Sequence, residues 1–243
     1  MSAMLYPVAV LAGGLATRLQ PLTRTLPKAL VDVNGEPFVA HQLRLLRSRG
    51  IARVVICAGH LGEMLLEYVG DGTRFGLEVG FSFDGPRPLG TAGALRKALP
   101  LLSEAFFVLY GDSYLPCPYT VVQAAFKASA KRALMTVYRN EDRWDRSNVE
   151  FEDGRILAYD KKHRTPQMRH LDYGLGVFRH DAFDRVTPDL PQDLDALYRS
   201  LLEAGDLAGL EVNDRFYEIG SFEGLADTRR YLAAQHAAGK SGR

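Results

Sequence analysis

Short apolar runs alternate with amphipathic stretches along the first half of the chain, and this alternation restricts the fold more than any other feature. Val8-Ala9-Val10-Leu11 is apolar throughout and is stopped by Gly13-Gly14, so it reads as a strand buried on both faces. Pro37 opens an amphipathic stretch to Arg49, with Phe38, Leu43, Leu45 and Leu46 among its apolar positions. Proline suits a first helical turn and Gly50 suits a stop. Val54-Val55-Ile56-Cys57 reads as a second buried strand, Leu61–Val69 as a helix, and Leu77–Phe83 as a third strand. Thr91–Leu99 reads as a helix and Ala105–Tyr110 as a fourth strand ending in Gly111-Asp112. Strands separated by helices imply a parallel sheet with right-handed crossovers.

The second half changes character. Ala133–Tyr138, Val149–Phe151 and Ile156–Tyr159 predict strands, with Asp153-Gly154 as a hairpin turn between the last two. Leu171–Phe178 predicts another strand, interrupted by Gly174 and Gly176. Leu194–Ala204 and Phe222–Ala238 read as helices, and the small, polar tail Gly239–Arg243 is expected to be disordered. The predicted fold class is α/β: a Rossmann-like three-layer α/β/α sandwich with a mixed, mostly parallel central sheet and a small subdomain on the later strands.

Composition narrows the function. The chain has 243 residues, 47% hydrophobic and 24% charged, which is ordinary for a globular protein. A formal net charge of +1 gives no electrostatic basis for bulk nucleic-acid binding. No apolar run approaches the length of a membrane span, and Met1–Tyr6 is too short and uncharged for a leader. Cys57 and Cys117 form no C-x-x-C pair, and His60, His163 and His170 have no ligand spacing. A soluble, cytoplasmic protein with reduced thiols is the expectation.

Chemistry concentrates in Leu11-Ala12-Gly13-Gly14-Leu15-Ala16-Thr17-Arg18-Leu19, followed by Pro21-Leu22-Thr23 and Pro27-Lys28. Glycine lets the backbone approach a ligand without a Cβ in the way, and N–H groups in such a turn can cradle phosphate oxygens. Arg18 and Lys28 add positive charge, and Arg18 has no acidic residue beside it in the turn. Neither the dinucleotide fingerprint G-x-G-x-x-G nor the Walker loop is present. Two glycines alone are more often the mark of a tight strand-to-helix turn.

The full run resembles the signature of the sugar-1-phosphate nucleotidylyltransferases, G-G-x-x-[ST]-R-L-x-P-L-T followed by P-K, with every fixed position present. The resemblance covers roughly residues 5–235. It implies an enzyme that joins a sugar 1-phosphate to a nucleoside triphosphate and releases pyrophosphate. Leu11, Ala12, Gly13, Gly14 and Thr17 would bind the nucleotide; Arg18 and Lys28 would hold the triphosphate and stabilise charge on the transferring phosphate. Pro88-Leu89-Gly90-Thr91-Ala92-Gly93 looks like the family's base-reading loop, with Gly90 against the base and Thr91 suited to capping the following helix. Its wording is closest to members using GTP with mannose or heptose 1-phosphates.

The resemblance also implies a metal and a sugar side. Asp112 corresponds to an Mg²⁺ ligand, and Phe216-Tyr217-Glu218-Ile219-Gly220 stands where the family carries W-x-D-x-G, so Glu218 replaces the second carboxylate. Phe106–Tyr110 and Val212–Tyr217 are both strand-like; if they share one sheet, the two carboxylates meet at its edge, with oxygens roughly 3–5 Å apart around an Mg²⁺. Asp160-Lys161-Lys162 resembles the family's E-K-P segment, with Lys161 on the sugar phosphate and Asp160 on a hydroxyl. Asp172 and Gly174 stand where relatives carry N-x-G and would also face the sugar. The implied organisation is one nucleotidylyltransferase domain over 1–238, about 1–130 binding nucleotide and 131–238 binding sugar, with 239–243 as the tail and no room for an appended β-helix. Homo-oligomerisation is left open. The rivals are cytidylyl or uridylyl transfer to another phosphorylated acceptor, a catalytically weak nucleotide-sugar-binding regulator and, without G-x-G-x-x-G, a distant dinucleotide oxidoreductase.

Overall fold

The computed structural model describes residues 4–14 and 17–241, without the side chains of Thr17 and 238–241. In chain order the strands and helices are β1 (Val8–Ala12), β2 (Asp32–Val33), β3 (Glu36–Pro37), α1 (Phe38–Ser48), β4 (Arg53–Ala58), α2 (Gly62–Val69), β5 (Glu78–Phe83), α3 (Gly90–Ala98), β6 (Ala105–Tyr110), β7 (Ser113–Tyr114) and α4 (Tyr119–Ser129). They continue with β8 (Ala133–Arg139), β9 (Val149–Glu152), β10 (Arg155–Tyr159), β11 (His170–Arg179), α5 (Leu194–Glu203), β12 (Leu207–Glu211), β13 (Tyr217–Glu218) and α6 (Phe222–Ser241).

The main sheet has nine strands among the described residues. β5, β4, β1 and β6 run parallel side by side. β11 then pairs antiparallel with β6 and with β8, and β12 adds to β8 in parallel. The β9–β10 hairpin joins at His170, and its turn residues Asp153 and Gly154 both have positive φ, as the Asp-Gly pair predicts. The mixed, mostly parallel sheet of the sequence reading is therefore present.

Alternation along the strands builds the three layers. Val8, Val54, Ile56, Phe107 and Leu109 face a core shared with Leu43 and Leu46 of α1, Leu65 of α2 and Phe126 of α4. Ala9, Val55, Cys57, Phe106 and Val108 face the opposite core, with Leu95 of α3 and Leu197 and Leu201 of α5. Because side chains alternate with period two, an apolar run feeds both cores at once. A third cluster joins Val31, Val33 and Phe38 to Ile219, Leu225 and Leu232, which docks α6 near the end of β13.

Two boundaries differ from the sequence reading. Helix α6 runs to Ser241, taking in residues given to the disordered tail, while 242–243 lie outside the described residues. A single glycine costs about 1 kcal/mol in a helix and does not by itself end one. The strand-like run Val212–Tyr217 is not a strand of the main sheet: β12 ends at Glu211, and only Tyr217–Glu218 pairs, with Ser113–Tyr114, in a separate two-stranded ribbon.

Candidate active site

The carboxyl ends of β1, β4 and β6 meet closely because glycines follow them. A Cβ on Gly59 would lie 2.8 Å from Gly13 O, and one on Gly111 would lie 3.0 Å from Leu11 O. Gly111 N–H also donates to Leu11 O at 2.9 Å. Beside this junction lies a cavity of about 350 Å³. It is lined by Leu11, Ala12, Gly13 and Gly14 of the glycine turn, together with Lys28, Gly90 and Asp112. The structure thus brings seven of the expected residues together at the ligand-binding edge of an α/β sheet. Thr17 begins a 3₁₀ turn, and its side chain lies outside the described residues.

The charged groups converge at one side of the cavity. Pro27 is extended and starts a 3₁₀ turn at Lys28, while Ala29 and Leu30 bury the rest of that turn. Lys28 Nζ lies 2.8 Å from Asp112 Oδ2. Arg18 projects from its own 3₁₀ turn, anchored by the fully buried Leu19. Glu218 arrives on the β7–β13 ribbon, where it pairs with Ser113, and Ile219 N–H donates to Asp112 O at 2.9 Å. Stacking of Tyr217 on Tyr231, with centroids 3.8 Å apart, ties the ribbon to α6. A Cβ on Gly220 would overlap Glu218 Oε2 and lie 3.3 Å from Arg18 Nη2 and 3.4 Å from Asp112 Oδ2. Both carboxylates and the guanidinium therefore surround one point. Arg18, without an acidic neighbour in sequence, has two in space.

Glu218 differs from the simple ligand that the resemblance implies. Its Oε2 accepts a short hydrogen bond from Gly220 N–H, and its Oε1 accepts one from Ser221 Oγ at 2.9 Å. A Cβ on Gly224 would also overlap this carboxylate. The longer side chain is folded onto the first turn of α6, in space left by Gly220 and Gly224. Burial pushes its carboxyl above the usual range and the charge of Asp112 adds to this, while Ser221, Gly220 and Arg18 act in the other direction. Among the described residues no group of three or more His, Cys, Asp or Glu could hold a metal ion. Asp112 and Glu218 do supply two hard oxygen donors at one place, and Mg²⁺ commonly takes one or two carboxylates and completes its shell with phosphate and water.

The base loop is fixed by the segment before α5. Gly90 has φ +68°, and a Cβ there would lie 2.5 Å from Gln192 O. Gln192 O accepts from Ala92 N–H at 2.9 Å, and Gln192 N–H donates to Leu89 O at 2.8 Å. Thr91 does not cap α3, which it lies within. Its Oγ1 accepts from Leu194 N–H at 2.7 Å and so caps α5 instead. The glycine is needed for protein packing, and it also lines the cavity.

On the far side of Tyr110 stands the expected sugar cluster. Asp172 is buried and accepts from Gly174 N–H at 3.1 Å and from Tyr159 Oη at 3.4 Å. Lys161 Nζ lies 3.8 Å from Asp172 Oδ2 and 5.9 Å from the ring centroids of both Tyr110 and Tyr159. Gly174, at φ +92°, sits in the irregular stretch of the β8–β11 register and lets the backbone pass behind Tyr110. Asp160 is not brought into this cluster by any hydrogen bond. Its Oδ1 accepts from Lys162 N–H and His163 N–H at 2.7 and 2.9 Å, which lowers its carboxyl to about 2. The sequence reading gave no role to Gly59, Asp84 or Asp193. Asp84 and Asp193 line the cavity and Gly59 packs against its wall residue Gly13, but each belongs to an unremarkable loop with no motif to flag it.

Comparison with known proteins bears on the family and the fold. The sequence matches the family described as Nucleotidyl transferase over residues 8–235. It is 30% identical over 217 residues to mannose-1-phosphate guanyltransferase beta-B of Xenopus laevis, covering 87% of this chain and 60% of that protein. It is 27% identical over 231 residues to N-acetylmuramate alpha-1-phosphate uridylyltransferase of Neisseria meningitidis serogroup B, covering 93% of this chain and 97% of that one. The fold is similar to the crystal structure of HddC from Yersinia pseudotuberculosis, with a TM-score of 0.78 at 20% identity over 94% of this chain and 100% of that one. The chain spans about 60% of the length of the first of these relatives. With a family match across almost all of its sheet and helices, this chain belongs to the nucleotidyl transferase family.

Proposed function

We propose that the chain transfers a nucleoside monophosphate from a nucleoside triphosphate to a sugar 1-phosphate, giving a nucleoside diphosphate sugar and pyrophosphate. The observation that carries this reading is the convergence of Lys28, Arg18, Asp112 and Glu218 beside the cavity, with Lys161 and Asp172 across Tyr110. A phosphate oxygen of the sugar phosphate attacks the α-phosphorus, and the bond from that phosphorus to the bridging oxygen of the β-phosphate breaks. The nucleophile is already an anion, so no side chain has to remove a proton. The obstacle is repulsion between two anions, and fixed cations reduce it. Lys28 and Arg18 would hold the triphosphate oxygens, and Lys161 the incoming phosphate. Asp112 and Glu218 would hold Mg²⁺, which when bound offsets phosphate charge and aligns the in-line attack.

The named relatives differ in both base and sugar, so neither substrate is carried over from them. The base-loop wording favours GTP with a mannose or heptose 1-phosphate. Among the described residues no helix is long and apolar enough to cross a membrane, and a triphosphate substrate fits a cytoplasmic location. The test is pyrophosphate release measured for all common nucleoside triphosphates against a panel of sugar 1-phosphates and other phosphorylated acceptors. Release with one sugar 1-phosphate supports the reading. Release only with a non-sugar acceptor replaces it with the rival transfer, and nucleotide binding without release replaces it with a regulator.

A further inference from the structure

The chain has a single tryptophan, and the transfer as described gives it no part. Trp144 is 50% exposed in the loop that leaves β8. The guanidinium carbon of Arg215 lies 3.3 Å from its ring centroid and 4.7 Å from that of Tyr217. Tyr217 stacks in turn on Tyr231 of α6, with 17° between the ring planes. Arg215 is also paired with Asp227 of α6. Trp144, Arg215, Tyr217 and Tyr231 thus form one continuous run of planar contacts. The tryptophan loop is braced from inside. Asn140, fully buried, accepts from Trp144 N–H at 3.2 Å and donates to Asp145 O, while Ser147 N–H donates to Asp142 Oδ1 at 2.7 Å. Glu141 and Asp142 both take positive φ, a cost that this bonding offsets.

We infer that Trp144 and Arg215 are positioning residues that hold Glu218 in place at the metal side of the site. This role rests on the proposed binding of Mg²⁺ by Glu218. Glu218 lies on a ribbon with two residues in each strand, and so short a two-stranded ribbon is not stable by itself. Its place is set by what packs on it. Neighbouring side chains in a strand lie on opposite faces, so contacts on Tyr217 grip the ribbon from behind while Glu218 stays beside Asp112 and Arg18. Packing alone would be met by any apolar side chain at 144 and an aliphatic stem at 215. A flat guanidinium held against ring faces and paired with a carboxylate fixes distance and angle together. The other end of the brace reaches the sugar side. Val137 of β8 pairs with Asp172 of β11, and β8 runs directly into the Asn140 loop. Trp144 therefore ties the ribbon that carries Glu218 to the strand pair that carries Asp172. A displacement near 1 Å is enough to matter for an in-line transfer.

Calorimetric titration of the full chain with pyrophosphate, the product common to every base, tests this in the presence of Mg²⁺ and in chelator. Magnesium pyrophosphate needs a well-placed Glu218, whereas metal-free pyrophosphate needs only Lys28 and Arg18. Trp144→Ala is expected to weaken magnesium pyrophosphate about three- to tenfold, the scale of a cation–π contact, and to leave metal-free pyrophosphate unchanged. Trp144→Phe keeps a ring face and should recover most of the loss, and Trp144→Leu should recover none. Arg215→Lys keeps a charge for Asp227 but lacks the flat face, so it should show the same selective loss by a second route. Unchanged affinity for magnesium pyrophosphate in folded Trp144→Ala, equal loss with and without Mg²⁺, or full recovery by leucine would each overturn the proposal. Glu218→Gln separates the brace from the metal assignment beneath it. If Glu218→Gln loses the Mg²⁺-dependent affinity and Trp144→Ala keeps it, the brace is refuted and the metal assignment stands. If Glu218→Gln keeps it, the metal assignment fails and the brace fails with it.

Discussion

Lys28 and Asp112 stand 84 positions apart in the chain and meet as an ion pair, Nζ to Oδ2 at 2.8 Å. The pair joins the segment after the glycine turn to the end of β6 and leaves both charges partly exposed at the cavity wall. In the proposed reaction this contact must open, since the ammonium is needed by phosphate and the carboxylate by a cation. Asp112→Asn removes the charge while keeping the shape. Turnover is expected to fall at least about a hundredfold, and wild-type turnover to vanish with a chelator and return with added Mg²⁺. Steady-state pyrophosphate release checks both, and full activity in chelator would end the metal assignment.

Arg18→Ala is expected to lower turnover by about a hundredfold or more, the scale of losing one donor to developing transition-state charge. Arg18 is exposed and its turn is held by Leu19, so thermal stability should change little. A folded variant with near-wild-type turnover would remove Arg18 from the phosphate site.

Glu218→Asp restores the residue that the family pattern carries but shortens the side chain by about 1.5 Å. Because Glu218 is bonded to Gly220 and Ser221 in space left by Gly220 and Gly224, the surroundings are shaped to the longer residue. Turnover should fall, by up to about a hundredfold for a displacement near 1 Å. Gly224→Ala should lower stability by about 1–3 kcal/mol through overlap with the Glu218 carboxylate, and by less when combined with Glu218→Asp. Denaturant melts of the two single variants and the double variant measure the coupling. Strict additivity, or a more active Glu218→Asp, contradicts this account.

Lys161→Ala should weaken sugar 1-phosphate binding more than nucleotide binding, because Nζ lies with Asp172, Tyr110 and Tyr159 rather than with Lys28. Separate calorimetric titrations with each substrate decide it. Equal loss for both substrates, or none, rules out the sugar-side role.

Much of this molecule was legible as sequence. The strands β1, β4, β6 and β8 and the helices α1, α3 and α5 were readable because period-two and amphipathic patterns are local records of which side chains face a core. The glycine turn and the candidate residues around it were readable for the same reason, since Gly13-Gly14, Arg18 and Lys28 lie in one short stretch. Helix α4 and strand β12 carried weaker signals. β12 is only five residues long and holds Gly209, where a Cβ would lie 2.7 Å from the Phe151 ring of the hairpin packed on it.

Tertiary structure alone decided which distant segments meet. The two carboxylates come together not through one shared sheet but through a ribbon pairing Glu218 with Ser113, and nothing near Glu218 in sequence specifies that partner. Thr91 caps a helix that begins at Leu194, and Asp160 spends its carboxylate on its own turn while Asp172 takes the buried place beside Lys161. Asp84 carries no motif and acquires its position only when β5 ends beside Gly13. Local preference is written within a few residues, whereas pairing partners are selected by the burial and hydrogen-bond satisfaction of the whole chain, which no short window of sequence contains.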